Sequence, residues 1–297
     1  MKHTNFINRK VSDMSKFLED ISAFIKENNY TVYRVAEIKD GGEPEVVTTI
    51  PTNACQNSYS VAKAFVVTAI GILYDRGLIK PEDRITEILA EECPADVDPR
   101  WHEITVHDAL LHRLGLPGGF LDIDTHKAEE FGRDYLTYMF KYPFDHEPRV
   151  QRSYTDGAYY MLARIVEKKA GMPIDNFLWD TLFYPLGFQE MAWSRCPMGH
   201  PMGATGLYIR TKDMVKLGQV YLSGGMYGDT RIVSEEWVNL TLQNGYELNK
   251  MKANTYGKGG MNGQQLWVFP EKNRVVAWHG YTRHNSDMHN WILAYEE

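Results

Sequence analysis

The sequence is poor in cysteine, in long apolar runs and in positive charge, and each shortage excludes a class of protein. Only three cysteines occur among 297 residues. They form no C-x-x-C pair, so reduced thiols rather than a disulfide framework are the simplest account. The chain has 32 Lys and Arg against 39 Asp and Glu, a net charge of −7. This balance disfavours a nucleic-acid partner, because the phosphate backbone is itself negative.

Membrane and export segments are also missing from the pattern. The most apolar run, residues 64–74, is too short to cross a bilayer and predicts a buried core helix. The opening stretch MKHTNFINRKVSDMSK carries positive charge without the apolar segment of a secretory signal. We therefore expect no contact with a membrane and a cytoplasmic location.

Several motifs of other enzyme classes are absent. The sequence contains no G-x-S-x-G, which makes a nucleophile-elbow hydrolase unlike this chain. No G-K-[ST] follows its glycine-rich stretch at 257–263, which excludes a P-loop, and there is no H-E-x-x-H zinc motif. We expect neither a metal nor an organic cofactor.

The order of predicted elements indicates one sheet built from both ends of the chain. Strand signals occur in residues 30–50, as a hairpin, and return only after residue 256. The middle favours helices, among them a single helix over residues 128–142. This order predicts an α/β lobe formed by residues 1–73 and 205–297, with a mostly helical lobe, residues 74–204, inserted between them.

The first candidate for chemistry is the stretch SVAK. Ser60 and Lys63 are three residues apart, so in a helix they share one face and can touch. A serine hydroxyl needs a nearby base to become a good nucleophile, and a desolvated lysine can be that base. The start of a helix also favours developing negative charge. Taken alone, however, S-x-x-K also fits an ordinary helix.

Two further stretches add to this pattern. Tyr154-Thr155-Asp156 leads directly into an apolar helix, and a tyrosine near a lysine can relay protons. Lys258-Gly259-Gly260 precedes a strand, where glycines allow a substrate to lie against the backbone.

With these three motifs in this order, the sequence resembles the serine β-lactamase and penicillin-recognising superfamily. It is most similar to the branch that holds class C β-lactamases and their esterase and amidase relatives. Members carry S-x-x-K, Y-x-N and K-T-G or a variant such as H-x-G, which correspond here to SVAK, YTD and KGG. ITVHDALLHRLGLPGGF also resembles a family loop. The resemblance implies an α/β fold, an antiparallel β-sheet flanked by helices with an inserted all-helical lobe.

The resemblance also implies an activity, acyl transfer through a covalent ester on Ser60, with hydrolysis of a small ester, amide or peptide-like substrate. Lys63 and Tyr154 would share the proton transfers, and the backbone amides of Ser60 and Met261 would hold the oxyanion. The remaining substrate-contacting residues implied by the motifs are Asp156, Lys258 and Gly260.

Two departures from the family pattern shape the expected activity. Asp156 stands where relatives have Asn, and its negative charge should raise the pKa of Lys63 and weaken it as a base. The third motif lacks the Thr hydroxyl that helps to hold a β-lactam carboxylate. Strong β-lactamase activity is therefore not expected. Asp156 has two candidate roles, a structural pair with Lys63 or recognition of a substrate amine.

Two alternatives remain open. The third motif could instead be Trp278-His279-Gly280, although after it only the final helix fits, whereas two strands and that helix fit after Gly260. The alternative function is a penicillin-binding-type sensor or binding protein that acylates slowly or only binds its ligand.

Overall fold

The computed structural model describes residues 14–252 and 254–296. The first 13 residues, on which much of the expectation about export rests, lie outside the described part of the chain. Within that part the α-helices are α1 (Lys16–Glu27), α2 (Ala62–Asp75), α3 (Ile85–Ile88), α4 (Val106–Leu110), α5 (Tyr135–Lys141), α6 (Asp156–Ala170), α7 (Ile174–Leu178), α8 (Thr211–Leu222), α9 (Glu235–Asn244) and α10 (Ser286–Ala294).

The strands form three antiparallel sheets in the described residues. They are β1 (Val32–Lys39), β2 (Glu45–Thr48), β3 (Cys55–Asn57), β4 (Ala192–Trp193), β5 (Leu207–Arg210), β6 (Met226–Tyr227), β7 (Thr230–Arg231), β8 (Asn249–Lys250), β9 (Tyr256–Gly259), β10 (Gln265–Phe269) and β11 (Arg274–Gly280). The large sheet has the order β2-β1-β11-β10-β9-β8, and β3-β5-β4 and β6-β7 form small sheets. Strands from both ends of the chain thus meet in one sheet, since β1 pairs with β11.

The central strand β11 is buried along its whole length, because helices cover both faces of the large sheet. Successive side chains of a strand point to opposite faces. Val275 and Ala277 accordingly belong to the main apolar core. Val276 and Trp278 belong to a second core with residues of α1 and α10. The sheet therefore joins two apolar layers.

Helix α8 lies very close to the sheet because Gly218 has no side chain. A Cβ at Gly218 would lie 2.4 Å from Val275 Cγ1 and 3.0 Å from Leu266 Cδ1. On the other face, Phe17 of α1 makes an edge-on contact with Tyr295, just after α10, at a centroid distance of 5.1 Å. The predicted fold class, an antiparallel sheet flanked by helices, is confirmed, whereas the division into two lobes stays a prediction.

One prediction about an individual element is wrong, and one small sheet was not predicted. Residues 128–142 do not form one helix: a 3₁₀ turn at Ala128–Phe131 ends at Gly132, whose φ is +69°. Asp134 then caps α5 by accepting hydrogen bonds from the backbone amides of Leu136 and Thr137. The sheet β3-β5-β4 was not predicted, because its strands are two to four residues long. This small sheet matters, because β3 leads into the SVAK stretch.

Candidate active site

Ser60 lies on a 3₁₀ turn, Tyr59–Val61, that continues directly into α2. The turn is attached to the small sheet, since Ser58 N donates to Leu207 O at 2.8 Å. Tyr59 has a φ of +46°, which is uncommon for a tyrosine. Its amide is held by Asn57 Oδ1 at 2.9 Å. Ser60 is therefore presented, half-buried, at the amino end of a 14-residue helix.

Lys63 is fully buried and all three of its donors are used. Its Nζ donates to Ser60 Oγ at 2.9 Å, to Asp156 Oδ1 at 2.7 Å and to Ala204 O at 3.0 Å. Burial by itself would lower the pKa of Lys63, but the negative charge of Asp156, helped by Tyr154 and Glu247, raises that pKa above its usual value. The resting side chain is thus an ammonium that donates to the serine oxygen. The direction of this shift agrees with the effect expected of Asp156 from the sequence.

Tyr154 lies between two lysines. Lys258 Nζ donates to the Tyr154 hydroxyl at 3.0 Å. The ammonium groups of Lys63 and Lys258 lie 4.8 Å and 4.7 Å from the centroid of the tyrosine ring. Two cations at such distances stabilise negative charge on the tyrosine oxygen. The structure therefore brings together the side chains of the first two motifs and the lysine of the third.

The segment Lys258–Gly260 runs beside the turn that carries Ser60. A Cβ at Gly260 would lie 2.9 Å from Ser58 O and 3.1 Å from Tyr59 Cβ. Glycine is therefore needed where β9 ends against the turn. Met261 follows with a side chain that is 39% exposed. Its backbone amide donates no hydrogen bond to another atom of residues 14–252 and 254–296.

The alternative third motif has a different environment. His279 is buried in the middle of the sheet, where Nε2 lies 3.1 Å from Ser58 Oγ and Nδ1 lies 2.9 Å from Thr211 Oγ1. Burial lowers the pKa of His279 to about 3, so this imidazole is neutral. Both ring nitrogens are occupied by neighbouring side chains. His279 therefore fastens the sheet to the turn of Ser60 and to α8, whereas Lys258 reaches Tyr154.

Sequence reasoning missed Glu247, a buried residue of the loop between α9 and β8. Its carboxylate is in close contact with Lys258 Nζ and accepts from His112 Nε2 at 2.5 Å. Burial would raise the pKa of Glu247, but Lys258 and His112 lower it well below the usual range. Burial in turn lowers the pKa of His112. His112 Nδ1 accepts from the amide of Thr155 at 3.2 Å, which orients the residue next to Tyr154.

Two further acidic residues lie near Asp156 and were also missed. Oxygens of Asp122, Asp124 and Asp156 lie within 4.8 Å of one another. Asp124 is exposed as a residue, but its carboxyl group turns inward and accepts from Thr205 Oγ1 at 2.5 Å. Partial burial of the carboxyl group, together with Asp122 and Asp156, raises the pKa of Asp124. The cluster gives this side of the site a negative potential. No sequence motif marked these loop residues.

An antiparallel sheet flanked by helices, with Ser60 and Lys63 in contact at the start of α2, has the architecture of the β-lactamase fold. The chain belongs to the beta-lactamase family, whose sequence profile matches residues 23–292. The predicted membership in this superfamily is therefore confirmed. In the described residues no helix combines the length and apolar character needed to span a membrane.

Similar proteins carry the names of different activities. Penicillin-binding protein 4 of Amycolatopsis lactamdurans is 26% identical over 214 residues, 62% of this chain and 55% of that protein. The N-acetylmuramyl-L-alanine amidase of Bacillus subtilis is 28% identical over 279 residues, 70% of this chain and 63% of that protein. The chain thus spans between half and two thirds of these relatives' length. EstCE1, a hydrolase with promiscuous acyltransferase activity, shares the fold, with a TM-score of 0.67 at 13% identity and coverage of 91% and 94% of the two chains.

Proposed function

We propose that the protein is a serine hydrolase that forms an acyl-enzyme on Ser60 and acts on a small ester or amide. The observation that carries the proposal is the position of Ser60 Oγ, 2.9 Å from Lys63 Nζ at the start of α2. Tyr154 and Lys258 lie in the same site, in hydrogen-bond contact with each other. Relatives named as an amidase and as a hydrolase with acyltransferase activity support this class of reaction.

Acylation begins when the Ser60 oxygen attacks the substrate carbonyl. Tyr154 takes the Ser60 proton in its phenolate form, because Lys63 already holds a full set of protons and donates to the serine oxygen. Lys63 and Lys258 stabilise the negative charge, first on the phenolate and then on the attacking serine oxygen. The amides of Ser60 and Met261 donate to the oxyanion of the tetrahedral intermediate, a contribution that is usually large. When the intermediate collapses, the leaving alcohol or amine takes its proton from Tyr154.

Deacylation repeats the same proton path with water in place of Ser60. Water loses a proton to Tyr154 and attacks the acyl carbonyl. The bond to Ser60 breaks, the serine oxygen recovers a proton, and the carboxylic acid product leaves. Lys63 stays protonated throughout. It assists the proton transfers through its hydrogen bond to the serine oxygen, which orients the serine hydroxyl.

A second candidate function is a slowly acylating sensor or binding protein. The pairing of Lys63 with Asp156 favours it, because a lysine kept protonated is a poor base. The two functions differ in turnover. A slowly acylating sensor would share the covalent step on Ser60, whereas a protein that only binds its ligand would not.

Steady-state hydrolysis separates these functions. We expect the wild-type protein to release product continuously from at least one member of a panel of short-chain esters and amino-acid amides. Ser60→Ala should abolish release without loss of folding, as checked by thermal unfolding. A single burst equal to the amount of protein, with no later turnover, would favour the sensor, and equal rates for the two proteins would contradict the role of Ser60.

A further inference from the structure

Glu247 is the buried charge in the site that the reaction above does not use. Its side chain is 1% exposed, and one of its oxygens contacts Lys258 while the other accepts from His112. A buried carboxylate is costly unless it is paired and hydrogen-bonded, and here both conditions are met. Because His112 is neutral, its contribution is a hydrogen bond, and the charge that directly balances the carboxylate is that of Lys258.

The backbone around Glu247 is shaped to bring the carboxylate inward. Helix α9 ends at Gly245, which has a φ of +68°, and Glu247 itself has a φ of +61°. A left-handed conformation is uncommon for glutamate and persists only when the surroundings impose it. Both neighbours, Tyr246 and Leu248, are buried. The loop is therefore anchored on each side of the residue that supplies the charge.

We propose that Glu247 is a positioning residue for the hydrolase reaction, whose carboxylate keeps Lys258 charged and directed at the Tyr154 hydroxyl. This inference rests on the proposed function, in which Tyr154 carries the serine proton. Lys258 is 7% exposed, so water cannot fully replace its counter-ion. Without Glu247, Lys258 would be a desolvated cation near a second cation, Lys63, and would lose its proton more readily.

The charges around Lys258 make Glu247 the group that keeps Lys258 protonated. Lys258 donates a hydrogen bond to Tyr154, and the ammonium group of Lys63, which lies near the same ring, repels the charge of Lys258. The negative charge of Asp156 is already taken up by Lys63 at 2.7 Å. On the facing strand, Lys258 lies opposite the apolar Leu266. The titratable and charged groups that face this region are Glu247, His112, Tyr154, Arg152, Lys63 and Asp156.

The test is a comparison of Glu247→Gln with the wild-type protein. Protein labelled with ¹³C at the lysine ε-carbons is titrated by NMR, with Lys258→Arg used to assign the signal of Lys258. The pH profile of kcat/KM is measured with an ester substrate on the same samples. We expect Lys258 to lose its proton at a pH lower by at least about one unit in Glu247→Gln, a tenfold change in that equilibrium. The high-pH limb of kcat/KM should move in the same direction.

Asp213→Asn is the matched control. Asp213 is fully buried and pairs with Lys216 at 2.8 Å, and Lys216 also donates to Leu186 O rather than to any residue of the site. This variant removes the same kind of buried charge, so it reproduces a general loss of stability. It should leave the titration of Lys258 and the position of the high-pH limb unchanged.

A second variant covers a failure of Glu247→Gln to fold. Glu247→Asp keeps the charge and shortens its reach, so Lys258 should titrate as in the wild type while kcat/KM falls as Lys258 is drawn away from Tyr154. The inference is overturned if Lys258 titrates identically in Glu247→Gln, if Asp213→Asn shifts it equally, or if Glu247→Asp leaves kcat/KM unchanged. Absence of any Ser60-dependent turnover in the wild type overturns the proposed function instead. The titration of Lys258 needs no substrate, so it tests the effect of Glu247 on Lys258 separately.

Discussion

The charge state of Lys63 decides which residue moves the serine proton. A buried lysine can be a base only when it is neutral, yet the carboxylate of Asp156 lies 2.7 Å from Lys63 Nζ and stabilises the ammonium. Tyr154 instead receives a hydrogen bond from Lys258. At the residue scale, the proposal therefore assigns the proton to Tyr154 and the fixed positive charge to Lys63.

Substitution of either Lys63 or Tyr154 should lower the activity severely, and substitution of both should lower it little further. We expect Lys63→Ala and Tyr154→Phe each to lower kcat/KM at least about a hundredfold, the size usual for lost acid–base groups. The double variant should lose far less than the product, because the two residues act on one proton path. Ester hydrolysis rates measure this, with thermal unfolding to correct for the buried charge that Lys63→Ala leaves on Asp156. Fully multiplicative losses would show that the residues act independently.

Asp156 should contribute to substrate choice as well as to the pairing of Lys63. Asp122 and Asp124 bring further negative charge to its side of the site. With Asp156→Asn, we expect kcat/KM for a substrate with a free amine to fall about tenfold relative to its N-acetylated counterpart, or about 1.4 kcal/mol. The N-acetylated counterpart should hold or improve, because it has no free amine for Asp156 to attract. If the two substrates change by factors within about threefold of each other, Asp156 is only a structural partner of Lys63.

The contacts between residues of the site were predictable from the sequence only where the residues belong to a motif. Ser60 and Lys63 are one helical turn apart, so their contact follows from spacing. Asp156 next to Lys63 was expected from the resemblance alone. Glu247 and Asp124 come from loops whose course depends on the packing of distant segments, and a single acidic residue in a loop gives no local signal. The sequence therefore gives no sign that these two acidic residues belong to the site.

At the scale of elements, the end of β9 controls how the site closes. Gly260 lets the strand lie against the turn of Ser60, because a Cβ there would come within 2.9 Å of Ser58 O, a backbone atom that cannot rotate away. The three atoms nearest to a Cβ at Gly259 all belong to the side chain of Gln265, at 2.7–3.0 Å. The close obstacles therefore include rigid backbone at Gly260, whereas at Gly259 the nearest ones are a side chain that can move.

Gly260→Ala should therefore impair activity much more than Gly259→Ala. Separating β9 from the turn displaces Lys258 and the amide of Met261, and displacement by about 1 Å can cost a hundredfold in rate. We expect at least a tenfold lower kcat for Gly260→Ala and less than threefold for Gly259→Ala. Both should remain folded, with overpacking costs of about 1–3 kcal/mol measured by chemical unfolding. Equal kcat values would show that this close approach has no part in the reaction.

Element prediction succeeded where the periodic pattern was long. Helix α6 follows the YTD motif as expected, and it ends at Ala170, where Gly171 caps it with a φ of +72°. The strand order at the end of the chain also follows the predicted sequence of β9, β10, β11 and α10. The sheet β3-β5-β4 was invisible, because strands of two to four residues carry no measurable alternation. The helix predicted over residues 128–142 is interrupted at Gly132, because the positive φ of this glycine ends the first turn. From the sequence alone, Gly132 was not recognised as a helix stop.

At the scale of the whole molecule, the fold shows the family but leaves the substrate open. The negative cluster beside Ser60 and the missing Thr hydroxyl of the third motif both disfavour the carboxylate of a β-lactam. We expect a short-chain p-nitrophenyl ester to be hydrolysed faster than nitrocefin by at least about tenfold in kcat/KM, or about 1.4 kcal/mol. Parallel absorbance assays on one preparation decide this. Comparable rates would show that the site accepts β-lactams after all.

Mass spectrometry after reaction with a fluorophosphonate probe shows whether Ser60 is the nucleophile. We expect one adduct per chain, on the peptide that contains Ser60, and none on folded Ser60→Ala. Tyr154→Phe should be labelled more slowly at the same residue. An adduct on another serine, or an unmodified Ser60 in folded protein under conditions that label a known serine hydrolase, would contradict the role of Ser60 as the nucleophile.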